Sequence, residues 1–107
     1  MMKLHTKSRD GKLYEAYAIY ENELVTVLKG SKINRKSNVT AETKRTAEML
    51  RMNNDLFDDN DILQENVTFK SLSTAATFVT GRVANGMIVW KTDDGKYVKF
   101  SLGKGGK

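Results

Sequence analysis

A chain of 107 residues is long enough for one domain and too short for two. Folding at this size buries roughly 60–70% of the unfolded chain's surface, so 39% apolar residues suffice for a core without staples, while 29% charged residues suit a soluble surface. The absence of cysteine excludes disulfides and thiolate metal sites, no stretch approaches the roughly 20 apolar residues that span a bilayer, and a net charge of +5 favours anionic partners.

The N-terminal MMKLHTKSRDGKLYE lacks an apolar run of the signal-sequence kind, so the chain reads as cytoplasmic, with its one histidine, His5, on a ragged end. Residues 12–31 read as a β-hairpin. Lys12 to Tyr20 and Leu24 to Lys29 are its strands and Glu21-Asn22-Glu23 its turn, Asn22 being best suited to a left-handed conformation. Gly30-Ser31 ends the second strand, and KINRKSNV over residues 32–39 forms a basic loop. Thr40 is a plausible N-cap for a helix over about 41–53, with Ala47 and Leu50 facing the core and Lys44, Glu48 and Arg51 pointing outward. Leu56-Phe57 and Ile62-Leu63 then flank the polar turn 58–61, as a short hairpin or a loop.

Val67-Thr68-Phe69 is a brief extended piece. Ser71 or Ser73 caps a second, short helix that ends at Gly81, and Ala75, Ala76 and Val79 give it a small-residue stripe for lying close on a sheet. Asn85-Gly86 reads as a turn supplying positive φ. A final hairpin is expected from Met87 to Lys91 and from Lys96 to Leu102 around Thr92-Asp93-Asp94-Gly95, with Ile88 and Trp90 on one face. The whole predicts one α+β domain in which two terminal antiparallel hairpins form one sheet with two helices packed on one face, and a flexible tail over 103–107.

Charge is segregated along this order. Residues 1–45 carry ten Lys/Arg against five acids, residues 46–69 one against six, and residues 70–107 seven against two. If the two basic flanks fold together, one face of the domain is basic and attracts phosphate backbones; otherwise the charges simply solubilise the surface.

Catalytic constellations are missing. No nucleophile sits in an elbow motif, no P-loop surrounds Gly30-Ser31-Lys32, and a calcium loop begun at Asp58 or Asp59 places Ile62 or Leu63 where an oxygen ligand is needed. The expectation is a non-enzyme with neither cofactor nor metal.

From Phe69 the chain reads F-K-S-L-S-T-A-A-T-F-V-T-G-R-V-A-N-G-M-I-V-W-K and then T-D-D-G-K, and upstream V-L-K-G-S spans residues 27–31. Over residues 24–100 this resembles a bacterial and phage family, domain of unknown function 4357. Its members share F-x-S-P-S-A-A-A, a Gly, N-G-x-x-x-W-K and an acidic-Gly turn. Leu72 replaces the family's Pro and Thr74 an Ala, and Arg45 corresponds to the Arg that opens the family's central helix, with its spacing to the following apolar pair one residue off. The resemblance implies an accessory module, since members are often attached behind GIY-YIG-type nucleases or occur beside restriction-modification functions.

Candidate nucleic-acid contacts are the basic run Lys29, Lys32, Arg35 and Lys36, together with Lys70, Ser71, Ser73, Arg82, Asn85 and Lys91. Each has a structural alternative. Ser71 and Ser73 either cap the helix alone or also present its free N–H groups, with Lys70, to a phosphate. Asn85 serves the turn or a base edge, Trp90 the core or a stack, and the lysines a phosphate or the solvent. The functional expectation is a non-catalytic nucleic-acid-associated domain, DNA favoured, acting through backbone contacts in a restriction-modification, phage or mobile-element setting. The alternative is a protein-interaction module that docks onto a nuclease or methyltransferase through the acidic middle, Asp55 to Glu65, as much as the flanks. No membrane partner is expected.

Overall fold

The computed structural model describes residues 1–35, 49–82 and 85–99, and within them four strands form one antiparallel sheet in the order β1-β2-β3-β4. Strand β1 (Met2–Lys7) buries Leu4 and Thr6 and turns Lys3 and Lys7 to solvent. That period of two defines a strand even though Leu4 is its only large buried side chain. His5 therefore does not sit on a ragged end: it lies within an edge strand, opposite Tyr17 in register.

Strands β2 (Glu15–Glu21) and β3 (Leu24–Val27) form the expected first hairpin. Its two-residue loop, Asn22-Glu23, takes φ of 55° and 65°, the twist that matches flanking strands. Strand β4 (Val67–Phe69) returns alongside β3 after a long excursion. Leu4, Ala16, Ala18, Val25, Val27 and Phe69 supply the buried face.

Helix α1 (Leu72–Thr80) packs on that face against β3 and β4. Ala75 and Ala76 are fully buried, as close helix–sheet approach requires, and the Phe78 ring centroid lies 5.0 Å from Phe69 and 6.1 Å from Phe57. Of the two expected caps it is Ser71 that accepts from the Thr74 N–H, and Gly81, at φ 81°, returns its N–H to the Thr77 carbonyl. Of the helix expected over 41–53, residues 49–51 are helical; its cap Thr40, with Lys44, Ala47 and Glu48, lies outside the described residues. Leu50 packs on the core, but Arg51 is buried rather than outward, its guanidinium donating to the Asn34 carbonyl.

The α+β class holds, and the C-terminal hairpin is corrected. Gly86–Ile88 form a 3-10 turn instead of a strand, the single bridge Lys91–Tyr97 closes the Thr92–Gly95 turn, and residues 98–99 are helical. Phe100 to Leu102 lie outside the described residues. Ile88 and Trp90 do not share a face: the first is exposed and the second fully buried, because a 3-10 turn repeats every three residues, not every two. The cause is local. Trp90 Nε1 donates to the Leu72 carbonyl at 3.1 Å, drawing the segment onto the start of α1.

Gly86 is there for space. A Cβ at this position would lie 2.3 Å from the Leu72 carbonyl carbon, and Asn85, at φ −87°, is extended and caps the turn through Oδ1 to the Met87 N–H. The left-handed reading of Asn85-Gly86 is thus replaced by a close approach.

Two outcomes follow for stability in urea. Glu23→Gly relieves a side chain held at positive φ and is expected to raise stability by about 0.5–1 kcal/mol; an unchanged midpoint would show that the turn carries no strain. Gly86→Ala must displace Leu72 and is expected to cost about 1–3 kcal/mol, whereas a neutral result would mean that the turn lifts off α1 freely.

Candidate nucleic-acid interface

Within the basic run, Lys32 and Arg35 are tied into the fold. Lys32 exchanges both backbone hydrogen bonds with Glu15, at 2.8 and 3.0 Å, and its neighbour Ile33 is fully buried with its N–H on the Asp61 carbonyl. Asn34 is buried too, donating from its N–H to Val79 and from Nδ2 to Thr80. Residues 30–35 are thus an irregular strap stitched through the core, the described part of the loop expected over 32–39; Lys36 and the rest of that segment lie outside the described residues.

Arg35 ends the strap, with its side chain only 18% exposed. Its Nε donates to the Arg51 carbonyl at 2.8 Å and its Nη2 to Asn54 Oδ1 at 2.6 Å. Nη1 reaches Asp61 at 3.4 Å, and the guanidinium stands 4.3 Å from the Phe57 ring centroid. Four partners hold this cation inside the fold. Lys29 is exposed beside Asn66, whose Oδ1 accepts its N–H.

The second expected cluster, at the start of α1, is taken up by structure. Ser71 Oγ caps the helix, Ser73 Oγ accepts the Gly86 N–H at 3.0 Å, and Lys70 is exposed alongside. Asn85 is exposed, with its Oδ1 committed to the 3-10 turn. Arg82 lies past the other end of α1, about 13 Å of helix away for nine residues. The expected residues therefore do not form one surface.

Two of them, Arg82 and Lys91, do meet, in a cleft of about 290 Å³ where they are joined by His5 and Lys7 from β1. Tyr14 and Tyr97 line the same cleft, and Ile88 and Val89 complete its apolar wall. Lys91 is set there by paired backbone bonds with His5, 2.9 Å from the His5 N–H and 2.8 Å to the His5 carbonyl. Its Nζ stands 5.2 Å from the Tyr97 ring centroid. Arg82 is exposed just beyond Gly81, where the negative end of the α1 dipole favours a cation.

No carboxylate lines the cleft, and among the described residues the one ion pair is Arg35–Asp61, away from it. Glu15, opposite Lys7 in register, instead accepts the Tyr17 hydroxyl at 2.7 Å, and this bond raises the Tyr17 phenol above its ordinary 10.0. Lys7, Arg82 and Lys91 thus present like charges to one space, an arrangement that suits an anion. Sequence reasoning missed His5 and Lys7 because it read no strand before residue 12, where the alternation of Met2, Leu4 and Thr6 was the available signal; Tyr14 and Tyr97 fell within strands it did expect but carried no local mark of a site.

The turn that carries Tyr97 has its own titratable element. The Asp94 carboxylate accepts the Thr92 hydroxyl and, at 3.2 Å, the Lys96 N–H. The Thr92 bond first, and the Lys96 bond second, hold its carboxyl below the ordinary 3.8. A lowered folded value means that the contribution is present above about pH 4 and lost as pH falls through that value. The Lys96 amide resonance is expected to titrate with a midpoint below 3.8, and Asp94→Asn to abolish that step; a midpoint at or above the ordinary value would show that the turn does not hold the carboxylate.

A four-stranded antiparallel sheet with helix α1 on one face, carrying the N-G-M-I-V-W-K segment on the start of α1, defines a small α+β domain class. The chain belongs to the family described as Domain of unknown function (DUF4357), whose model matches residues 6–101. Comparison with curated proteins gave no match, and neither did comparison with solved structures. No helix among the described residues is long and apolar enough to cross a membrane.

Proposed function

We propose that the chain is a non-catalytic nucleic-acid-binding accessory domain that holds a sugar-phosphate backbone at the His5–Lys7–Arg82–Lys91 cleft. The observation that carries this reading is the convergence of three cations from two distant parts of the chain on one cleft that no carboxylate among the described residues lines. Phosphate contacts of this kind supply affinity without sequence choice, as expected of a module that retains a partner enzyme on its substrate. DNA in a restriction-modification, phage or mobile-element setting is the context that the family resemblance favours. The reading moves the contact from the basic run to the cleft.

The test is anisotropy of fluorescein-labelled oligonucleotides titrated across salt. Micromolar binding at low salt is expected, with a log–log slope of about −2 to −3 for three phosphate contacts. Arg82→Ala and Lys7→Ala should each lower the slope's magnitude by roughly 0.7–0.9, while Lys29→Ala, outside the cleft, should leave it unchanged. Binding lost in Lys29→Ala but kept in Arg82→Ala would return the contact to the basic run. No binding at any salt would favour the docking of a protein partner instead.

A further inference from the structure

Charge alone does not account for the cleft. Ile88 is 48% exposed and Tyr97 40% exposed, and both line the cleft together with Lys91. A surface that only met phosphates on the outside of a duplex would leave these apolar groups in water. An exposed aliphatic side chain and an exposed aromatic ring lining one cleft, with the Lys91 Nζ over that ring, are instead what a base and its phosphate require together. We propose that the cleft takes an unpaired nucleotide, its base on the Tyr97–Ile88 wall and its phosphate toward Arg82 and Lys7, so that the ligand class is single-stranded nucleic acid. This rests on the nucleic-acid reading above and narrows it.

Three features argue for that occupant. At about 290 Å³ the cleft lies at the lower end of small-molecule pockets, room for one planar ring and its sugar but not for a base pair. A base within a duplex has both faces covered by its neighbours and reaches such a wall only when unpaired. Tyr97 is also held as a platform. Its bridge to Lys91 is backed by the Lys91–His5 bonds to β1 and by the Thr92 N–H on the Lys96 carbonyl at 2.9 Å. A second, shallower recess formed with Gly95 and Lys96 adjoins the same ring, so the chain can continue past it.

The experiment compares three labelled ligands of equal length on the full chain: oligothymidylate, a duplex, and a single strand of abasic tetrahydrofuran units. Oligothymidylate is expected to bind about ten-fold tighter than either of the others. Tyr97→Ala should lower its affinity to the abasic level and leave abasic binding unchanged, and Tyr97→Phe should keep wild-type affinity. Buried Trp90 emission and far-UV circular dichroism check that each variant is folded. Equal binding of all three ligands with the Arg82 salt dependence intact would overturn the single-strand inference and leave the nucleic-acid reading standing. An unchanged oligothymidylate affinity in Tyr97→Ala would overturn the stacking wall. Failure of all three ligands to bind would remove both.

Discussion

Everything at the cleft depends on how closely residues 85–90 lie on the first turn of α1. Three contacts make that clasp: the missing Cβ of Gly86 against Leu72, the Gly86 N–H on Ser73 Oγ, and the Trp90 indole on the Leu72 carbonyl, while the Trp90 N–H on the Gly86 carbonyl closes the segment on itself. A fully buried Trp contributes a large apolar area, but its N–H tolerates burial only with an acceptor, so the indole can sit in one place. With Trp90 fixed, Lys91 is delivered to β1 and exchanges both backbone bonds with His5. The turn beyond it then places Tyr97 opposite. A helix cap, a core aromatic and a surface cleft are in this way one continuous device.

The strap over residues 30–35 answers a different problem, that of a long excursion between β3 and β4 whose backbone must be satisfied inside the fold. Ser31, Lys32, Ile33 and Asn34 each donate their N–H to a carbonyl elsewhere in the chain. Leaving such groups unmet when buried costs more than their bonds gain. Arg35 continues the same logic, since its guanidinium lies over the Phe57 ring while its N–H groups bind Asn54, Asp61 and the Arg51 carbonyl. Lys32 and Arg35 thus belong to a seam where chain segments are tied, and density of charge along a sequence does not equal density on a surface.

Where local rules dominate, the sequence was a good guide: the Asn22 turn, the Ser71 cap, the Gly81 terminus and the buried alanine stripe follow from two to four neighbouring residues. It misled where a distant partner decides. Asn85-Gly86 carries the composition of a left-handed turn, yet Gly86 is small because Leu72 passes over it. Met87 to Lys91 alternates as a strand does, yet the Leu72 carbonyl draws Trp90 inward and leaves Ile88 outside. Strand β1 offered too little apolar content to be read alone, because its value lies in the partner strand that it extends. His5, Lys7 and Tyr97 went unread as site residues for the same reason: their neighbours in space come from the other end of the chain.

The expectation that did carry across scales is the folding together of the two basic flanks. Lys7 comes from the first and Arg82 and Lys91 from the last, with the acidic middle excluded from the cleft they line. Charges gathered within a Debye length of about 8–10 Å act on an approaching polyanion as a unit and set how fast it arrives and how salt weakens it. Tyr97 and Ile88 act at a shorter range, on whatever ring reaches the wall, and salt does little to that term. On the proposed reading, a cleft with both kinds of wall separates capture from retention, so affinity for an oligonucleotide that persists at high salt is expected from the aromatic side of the cleft and not from its lysines.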